Sequence, residues 1–127
     1  LVGASSGSKI KDRRPARSPP VRAVLLLVGH QPARTWTVTE LAAEAGLSVS
    51  HLHREFRDQL GSTPMAWLAR TRAELAASLL LQTDRPVGWV GAQVGWPDPN
   101  YFSRCFRRAY GMSPSSYRSR NAVPQHG

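Results

Sequence analysis

Residues 95–118 read GWPDPNYFSRCFRRAYGMSPSSYR, and this stretch decides the fold. A glycine turn leads into Asp98, a residue type suited to cap a helix. An apolar–basic helix follows, then Gly111 and a Ser113-Pro114 pair that restarts helical structure. Residues 46–68, GLSVSHLHREFRDQLGSTPMAWL, repeat the plan. From the cap onward the offset is constant at 50: Ser48 answers Asp98, Leu52 answers Phe102, Arg54 answers Arg104, Phe56 answers Phe106, Pro64 answers Pro114 and Trp67 answers Tyr117. Upstream of the cap the offset falls to 49, because Pro97 is an extra loop residue in the second copy. Two copies do not make a repeat array. They make a duplicated module.

The chain of 127 residues has room for one domain or two very small ones. Half of it buries too little apolar surface to be comfortable alone, so the copies are expected to share an element. The formal charge of +9 and pI near 11.3 favour a polyanionic partner, nucleic acid ahead of an acidic membrane. The longest apolar runs, around 24–28 and 78–81, fall far short of the ~20 residues needed to span a bilayer. A lone cysteine, Cys105, excludes an internal disulfide framework and fits a reducing compartment. The sequence begins at Leu1 rather than Met and reads as a fragment or processed product.

Residues 1–20 read as a flexible basic linker rich in Gly, Ser, Pro, Lys and Arg, with no apolar period. A basic arm along phosphates or in a minor groove is the sharper reading of the same stretch. Ser18-Pro19 can open a first helix, and Val21, Val24, Leu25 and Val28 supply its i, i+3, i+4, i+7 stripe. Thr37-Val38-Thr39-Glu40 matches a capping box. The helix it opens runs through Ala45 and stops at Gly46, which suits a left-handed C-terminal cap. Ser48 caps the next helix after a short turn, which completes a helix-turn-helix plan.

At about 100° per residue, Leu52, Phe56, Gln59 and Leu60 share one side of that second helix. Ser50, His53, Arg54 and Arg57 lie on the other. In the later copy Phe102, Phe106, Ala109 and Tyr110 are expected inward, and Asn100, Ser103, Arg104 and Arg107 outward. Both outward faces are short and polar near the N-terminus, with arginines following. That chemistry suits a helix entering a major groove. A charged face is more often merely solvated, but a matched pair in the same register argues against that here.

Residues 63–82 read as the longest helix, capped by Thr63, with Trp67, Leu68, Thr71, Leu75 and Leu79 as its apolar stripe and Arg70, Arg72 and Glu74 elsewhere. It is expected to be the shared element. About 19 residues at ~1.5 Å each give roughly 28 Å, against ~34 Å between major-groove faces on one side of B-DNA. The lengths permit simultaneous insertion, and the shortfall points to bent DNA. Thr83-Asp84-Arg85-Pro86 breaks the helix, and residues 87–94 form the lead helix of the second module, with Gly88 and Gly91 inside it. Close helix approach or general looseness would account for those glycines, and the second half is expected to be the less stable. Ser113-Pro114 starts a final short helix, and residues 121–127 read as a frayed tail. The expected division is therefore 1–20, 21–62, 63–82, 83–120 and 121–127.

Catalytic chemistry finds no support. His51 and His53 are two apart and point in nearly opposite directions on a helix, and no cysteine pair completes a zinc site. No glycine-rich phosphate loop or nucleophile elbow appears. No metal, no cofactor and no enzyme activity are expected. Cys105 reads as a small boundary residue, with a redox switch the minor alternative.

The residues WTVTELAAEAGLSVSHLHREFRDQLGSTPMAWL, TRAELAASLLLQTDRPV and VGWVGAQVGWPDPNYFSRCFRRAYGMSPSSYR resemble the DNA-binding domain of the AraC/XylS family of bacterial transcription regulators. The resemblance covers about residues 21–118. Its most specific part is G-aromatic, D-P-x-Y-F-S-R-x-F-R-R and G-x-S-P-x-x-Y-R in the second copy. It implies an all-α fold of about seven helices, with two helix-turn-helix units joined by a long helix. It also implies that one domain binds an asymmetric duplex site at two successive major-groove segments. Carried over by position, the base-reading residues are Ser50, His53 and Arg54 in the first unit, and Pro99, Asn100, Ser103 and Arg104 in the second. Arg57, Arg107, Arg108 and the helix starts near Thr37, Ser48 and Asp98 would hold phosphates.

Double-stranded DNA is the implied partner, RNA polymerase a further candidate, and the bacterial cytoplasm the implied location. Many family members carry an N-terminal ligand-binding or dimerisation domain, which the parent protein is expected to have. Gly88 and Gly91 depart from the family's usual alanine, and Pro97 from its frequent serine. The alternative reading is the DNA-docking module of a multidomain enzyme, such as a repair protein.

Overall fold

In the computed structural model, which describes residues 18–121, seven α-helices follow one another and no strand occurs among the described residues. They are α1 (Pro19–His30), α2 (Val38–Ala45), α3 (Val49–Leu60), α4 (Pro64–Gln82), α5 (Val87–Gln93), α6 (Pro99–Tyr110) and α7 (Pro114–Asn121). The expected basic linker lies outside the described residues up to position 17, and Pro19 and Pro20 already belong to α1. The frayed tail is expected from Asn121, but that residue closes α7, its side-chain amide donating to the Tyr117 carbonyl. Residues 122–127 lie outside the description.

The duplication is visible in the elements. α3 and α6 are both 12 residues long and start 50 positions apart. Each ends on a left-handed glycine, Gly61 at φ 73° and Gly111 at φ 78°, where a side chain would be strained. Each is followed by a Ser or Thr cap with proline in the first turn: Thr63 accepts from the Ala66 N–H and Ser113 from the Ser116 N–H. The capping box at Thr37 is complete, with the Glu40 N–H donating to the threonine hydroxyl and the Thr37 N–H to the Glu40 carboxylate. That backbone hydrogen bond, with Arg34 beside it, holds the Glu40 carboxyl below its ordinary pKa.

Two cores result. The first packs Val21, Val24, Val28, Trp36, Leu41, Leu52, Phe56 and Leu68, and the second packs Ala73, Ala76, Leu80, Val90, Val94, Trp96, Phe102 and Phe106. The boundary crosses α4 between Leu68 and Ala73, so one helix serves both units. Within it, Ala73, Ala76, Ala77 and Leu80 repeat the spacing of Val21, Val24, Leu25 and Val28 in α1. The second half of α4 thus does for unit two what α1 does for unit one.

The single apolar stripe expected along α4 is corrected accordingly. Leu75 is exposed and Arg72 is buried. A helix that packs against two bodies turns a different face to each, and a one-face stripe cannot describe it. A second correction concerns Ala109, which is exposed rather than inward. Tyr110 fills the core at that level by stacking on Phe106, ring centroids 4.7 Å apart. Tyr117 packs edge-on against Phe106 at 5.3 Å, as Trp67 does against Phe56 at 5.7 Å.

The two glycines of α5 have different explanations. A Cβ at Gly91 would fall 2.6 Å from Phe102 Cδ2 and 2.8 Å from the Trp96 carbonyl oxygen, so close approach explains it. A Cβ at Gly88 would meet nothing within 4 Å.

Candidate nucleic-acid interface

The recognition-type helices are placed by their buried residues. Leu52 and Phe56 fix the rotation of α3, and Phe102 and Phe106 that of α6. With those faces inward, Ser50, Arg54 and Arg57 are exposed and His53 is half-buried on α3. On α6, Pro99, Asn100, Arg104, Arg107 and Arg108 are exposed and Ser103 is half-buried. Ser103, Arg104, Arg107 and Arg108 line one groove of about 410 Å³. The three arginines give this groove a positive lining that attracts anions, each able to donate up to five N–H bonds.

The helix starts are specific in their use of side chains. Ser48 accepts from the His51 N–H, and Asp98 from the Asn100 N–H, each at one of the donors a helix leaves open. The Asp98 carboxylate is therefore spent on its own helix, and its charge is of the wrong sign for a phosphate. Any anion there would be held by the neighbouring N–H groups. Thr37 is likewise occupied by its capping box.

α3 is held from behind by a polar network at the start of α1. Gln59 donates to the Ser18 hydroxyl at 2.8 Å and to the Glu55 carboxylate at 2.7 Å, and its own oxygen accepts from the Ser18 N–H at 2.9 Å. Gln59 is thus an anchor on the inward side, as expected, through hydrogen bonds rather than apolar contact. His51 stands 3.7 Å from the same Glu55. Among the described residues no group of three or more His, Cys, Asp or Glu side chains is arranged to hold a metal ion. No helix among them is long and apolar enough to cross a membrane.

Two residues that the sequence reading passes over bear on the interface. Tyr101 is 48% exposed and its ring lies under the Arg104 guanidinium, 5.6 Å from centroid to Cζ. Such a cation–π contact restricts the arginine before any ligand arrives. A hydrogen bond with the Cys105 thiol, with that group's charge and partial burial adding to it, raises the Tyr101 phenol above its ordinary pKa, so it stays neutral. The signal was available as an aromatic–arginine pair at i, i+3. Arg118 is the other: its Nε donates to the Leu80 carbonyl at 2.9 Å and its Nη2 to the Thr83 carbonyl at 3.2 Å. It closes the C-terminus of α4 and binds α7 to it.

A helix-turn-helix domain family model matches residues 41–120. The chain is 37% identical over 90 residues to the arabinose operon regulatory protein of Escherichia coli, covering 71% of this chain and 31% of that protein. It is 41% identical over 86 residues to the transcriptional activator NphR of a Rhodococcus species, covering 68% and 25%. The chain spans about a third of the length of the curated relatives it matches. Among solved structures it resembles the C-terminal domain of AraT, a response regulator from Geobacillus stearothermophilus, with TM-score 0.79 and 31% identity over 87% of this chain and 93% of that one. It also resembles the DNA-binding domain of AdpA, a global transcriptional factor solved in complex with a target DNA, with TM-score 0.77 and 33% identity over 81% and 93%. These relatives are transcription regulators, and the alternative of a docking module for a repair enzyme gains nothing from them. The chain belongs to the AraC-type helix-turn-helix family, as a DNA-binding domain of transcription regulators.

Proposed function

We propose that the two units read one asymmetric duplex site, α3 and α6 entering successive major-groove segments. The observation that carries this is the matched exposure of the two helices. Thr37, Ser48 and Asp98 mark helix starts, and the outward residues of α3 and α6 are accessible in the same register. In this reading Ser50, His53 and Arg54 contact bases in one block, and Pro99, Asn100, Ser103 and Arg104 in the other. Arg57, Arg107, Arg108 and the N–H groups at the three helix starts hold phosphates. α4 sets the separation, and its length of 19 residues, roughly 28 Å, favours a duplex bent toward the protein. A straight duplex in a complex would refute the bend.

The parent regulator carries a further effector or dimerisation domain, a reading supported by the length of the relatives. It works in the bacterial cytoplasm beside RNA polymerase. The chain itself acts by binding, and no reaction is assigned to it.

The test is selection from a random duplex library at ~150 mM salt, a level at which phosphate contacts alone bind weakly, followed by footprinting. Two unlike blocks about one helical turn apart are expected. Arg54→Ala and Arg104→Ala should each erase preference in one block at a cost of ~1–3 kcal/mol. Arg57→Ala should weaken all sequences alike and lower the salt slope by about one. Identical behaviour of the two classes would overturn the assignment.

A further inference from the structure

Arg72 is 8% exposed, in the middle of the shared helix and at the seam between the two cores. Burying a guanidinium costs several kcal/mol unless its surroundings repay it. Burial here depresses the Arg72 pKa, and the groups that face it electrostatically are Tyr101 and Cys105 on α6 rather than a carboxylate. Its Nη2 donates to the Arg34 carbonyl, and its Nε finds no hydrogen-bond partner among the described residues. An apolar side chain of similar volume would pack at this point with less penalty. The arginine must be there for its geometry.

That geometry spans the two units. Arg34 belongs to the α1–α2 loop of the first unit, which is tied down by several contacts of its own. Its backbone N–H donates to the Gln31 carbonyl, its guanidinium lies 4.0 Å over the buried Trp36 ring, and it pairs with Glu40 at 3.2 Å. On the opposite side is Gly95, the turn glycine of the second unit, at φ 96°. A Cβ built there would fall 2.8 Å from Arg72 Cζ, 2.8 Å from Arg72 Nε and 2.8 Å from the Pro32 carbonyl oxygen. The guanidinium therefore lies flat against the turn that aims α6 while it holds the loop that precedes α2. The corresponding turn glycine of the first unit, Gly46, has nothing within 4 Å of such a Cβ. The close approach is particular to the seam.

We propose that Arg72, seated against Gly95, is a positioning residue that locks the second helix-turn-helix unit to the first and so fixes the spacing at which the two recognition helices meet DNA. This rests on the two-block reading proposed above. A helix alone leaves two bodies free to bend and twist about it. A cross-strut to the loop of one and the turn of the other removes that freedom. Rigid linkage at the right span lets the second contact form at high effective concentration, and slack forfeits part of that gain.

The experiment compares the wild-type chain with Arg72→Met and Arg72→Lys. Methionine keeps the volume and lysine keeps the charge, but neither offers a flat donor that reaches the Arg34 carbonyl across Gly95. Affinity is measured on duplexes whose two selected blocks stand at the native spacing and at one or two base pairs more or less, and on duplexes carrying each block alone. The variants should lose about 10-fold at the native spacing, a fraction of the roughly 10²–10⁴-fold that linkage contributes. They should lose much less at altered spacings and nothing on single blocks, so that the spacing profile flattens. Backbone residual dipolar couplings, read without DNA, should report two alignment frames in the variants and one in the wild type. A uniform loss at every spacing, with one alignment frame retained, would overturn the proposal. If library selection yields no two-block site, the DNA reading fails, and the dipolar couplings still decide whether Arg72 locks the units. Should Arg72→Met not fold, Arg72→Lys carries both measurements.

Discussion

Replacing Gly91 with alanine should destabilise the second unit, although alanine is the better helix former. Two effects oppose one another. In a helix interior alanine gains about 1 kcal/mol over glycine. Against this, the new Cβ would lie 2.6 Å from Phe102 Cδ2, 2.9 Å from Phe102 Cγ and 2.8 Å from the Trp96 carbonyl oxygen, where carbon contacts settle near 3.5–4.0 Å. Phe102 is fully buried against Trp96 and Phe106 and has no room to retreat. The Trp96 backbone is tied to α5 by its N–H to the Gly91 carbonyl at 2.7 Å. Overpacking of this kind costs about 1–3 kcal/mol, and the contacts place it toward the upper end. The net loss is about 1–2 kcal/mol, which lowers the melting temperature by roughly 4–8 °C per kcal/mol in a domain of this size.

The first unit supplies the remedy. Position 91 corresponds to Ala42 and position 102 to Leu52, so one unit pairs alanine with leucine and the other glycine with phenylalanine. The equivalent turn bond, Leu47 N–H to the Ala42 carbonyl, is longer at 2.9 Å. Gly91→Ala combined with Phe102→Leu should recreate the first unit's packing. Urea unfolding of the four members of the cycle should give a favourable coupling of at least ~1 kcal/mol, well above the ~0.3–0.5 kcal/mol of independent sites. A more stable Gly91→Ala variant, or a coupling within that background, would refute the packing account and leave the glycine as mere looseness.

Gly88→Ala should do the opposite and stabilise by about 0.5–1 kcal/mol, since nothing lies within 4 Å of its Cβ; thermal unfolding decides the sign. Arg118→Ala should cost about 1.5–3 kcal/mol by removing two charge-assisted bonds at the end of α4, and its effect on DNA affinity should follow stability rather than salt. Thr37→Ala should cost about 1 kcal/mol through the lost cap, measured by denaturant unfolding. The Glu40 carboxyl, whose folded pKa is depressed, supports the same cap above its unfolded pKa and loses that support as the pH falls through the folded one. Acid titration of Glu40→Gln, which has no carboxyl to protonate, should therefore show a smaller drop in stability than the wild type. On the two-block reading, Tyr101→Ala should leave folding intact and weaken the block assigned to Arg104 while sparing the one assigned to Arg54, as footprinting would show.

What was legible in the sequence depended on how local its cause was. Caps at Thr37, Ser48, Thr63 and Asp98 act over two or three residues, and the structure has them all. The faces of α3 and α6 follow from a period, and the buried Leu52, Phe56, Phe102 and Phe106 carry it unaided. The duplication added long-range information that a single copy lacks. It pairs Trp67 with Tyr117, and each packs edge-on against the phenylalanine of its unit. The residues proposed to contact bases and phosphates lie on the expected faces, His53 and Ser103 half-buried among them.

The reading of α4 failed because its burial is set by two bodies at once. A stripe of Trp67, Leu68, Thr71, Leu75 and Leu79 treats the helix as having one partner, and by that logic Arg72 belongs outside. The helix instead hands its Ala-rich second half to the other core, and small residues such as Ala73 and Ala76 leave little apolar signal in a periodicity. Arg72 then comes inward at the point where neither core claims the helix. An arginine at that point has a polar loop on one side and a bare glycine turn on the other. Gly95 reads as the glycine of a tight turn, which its positive φ requires. The same residue also leaves the space that the guanidinium occupies, and no local pattern separates these two reasons for a glycine. The link between units is therefore written in residues 34, 72 and 95, each with an ordinary explanation of its own. It becomes visible only when the three are found in contact.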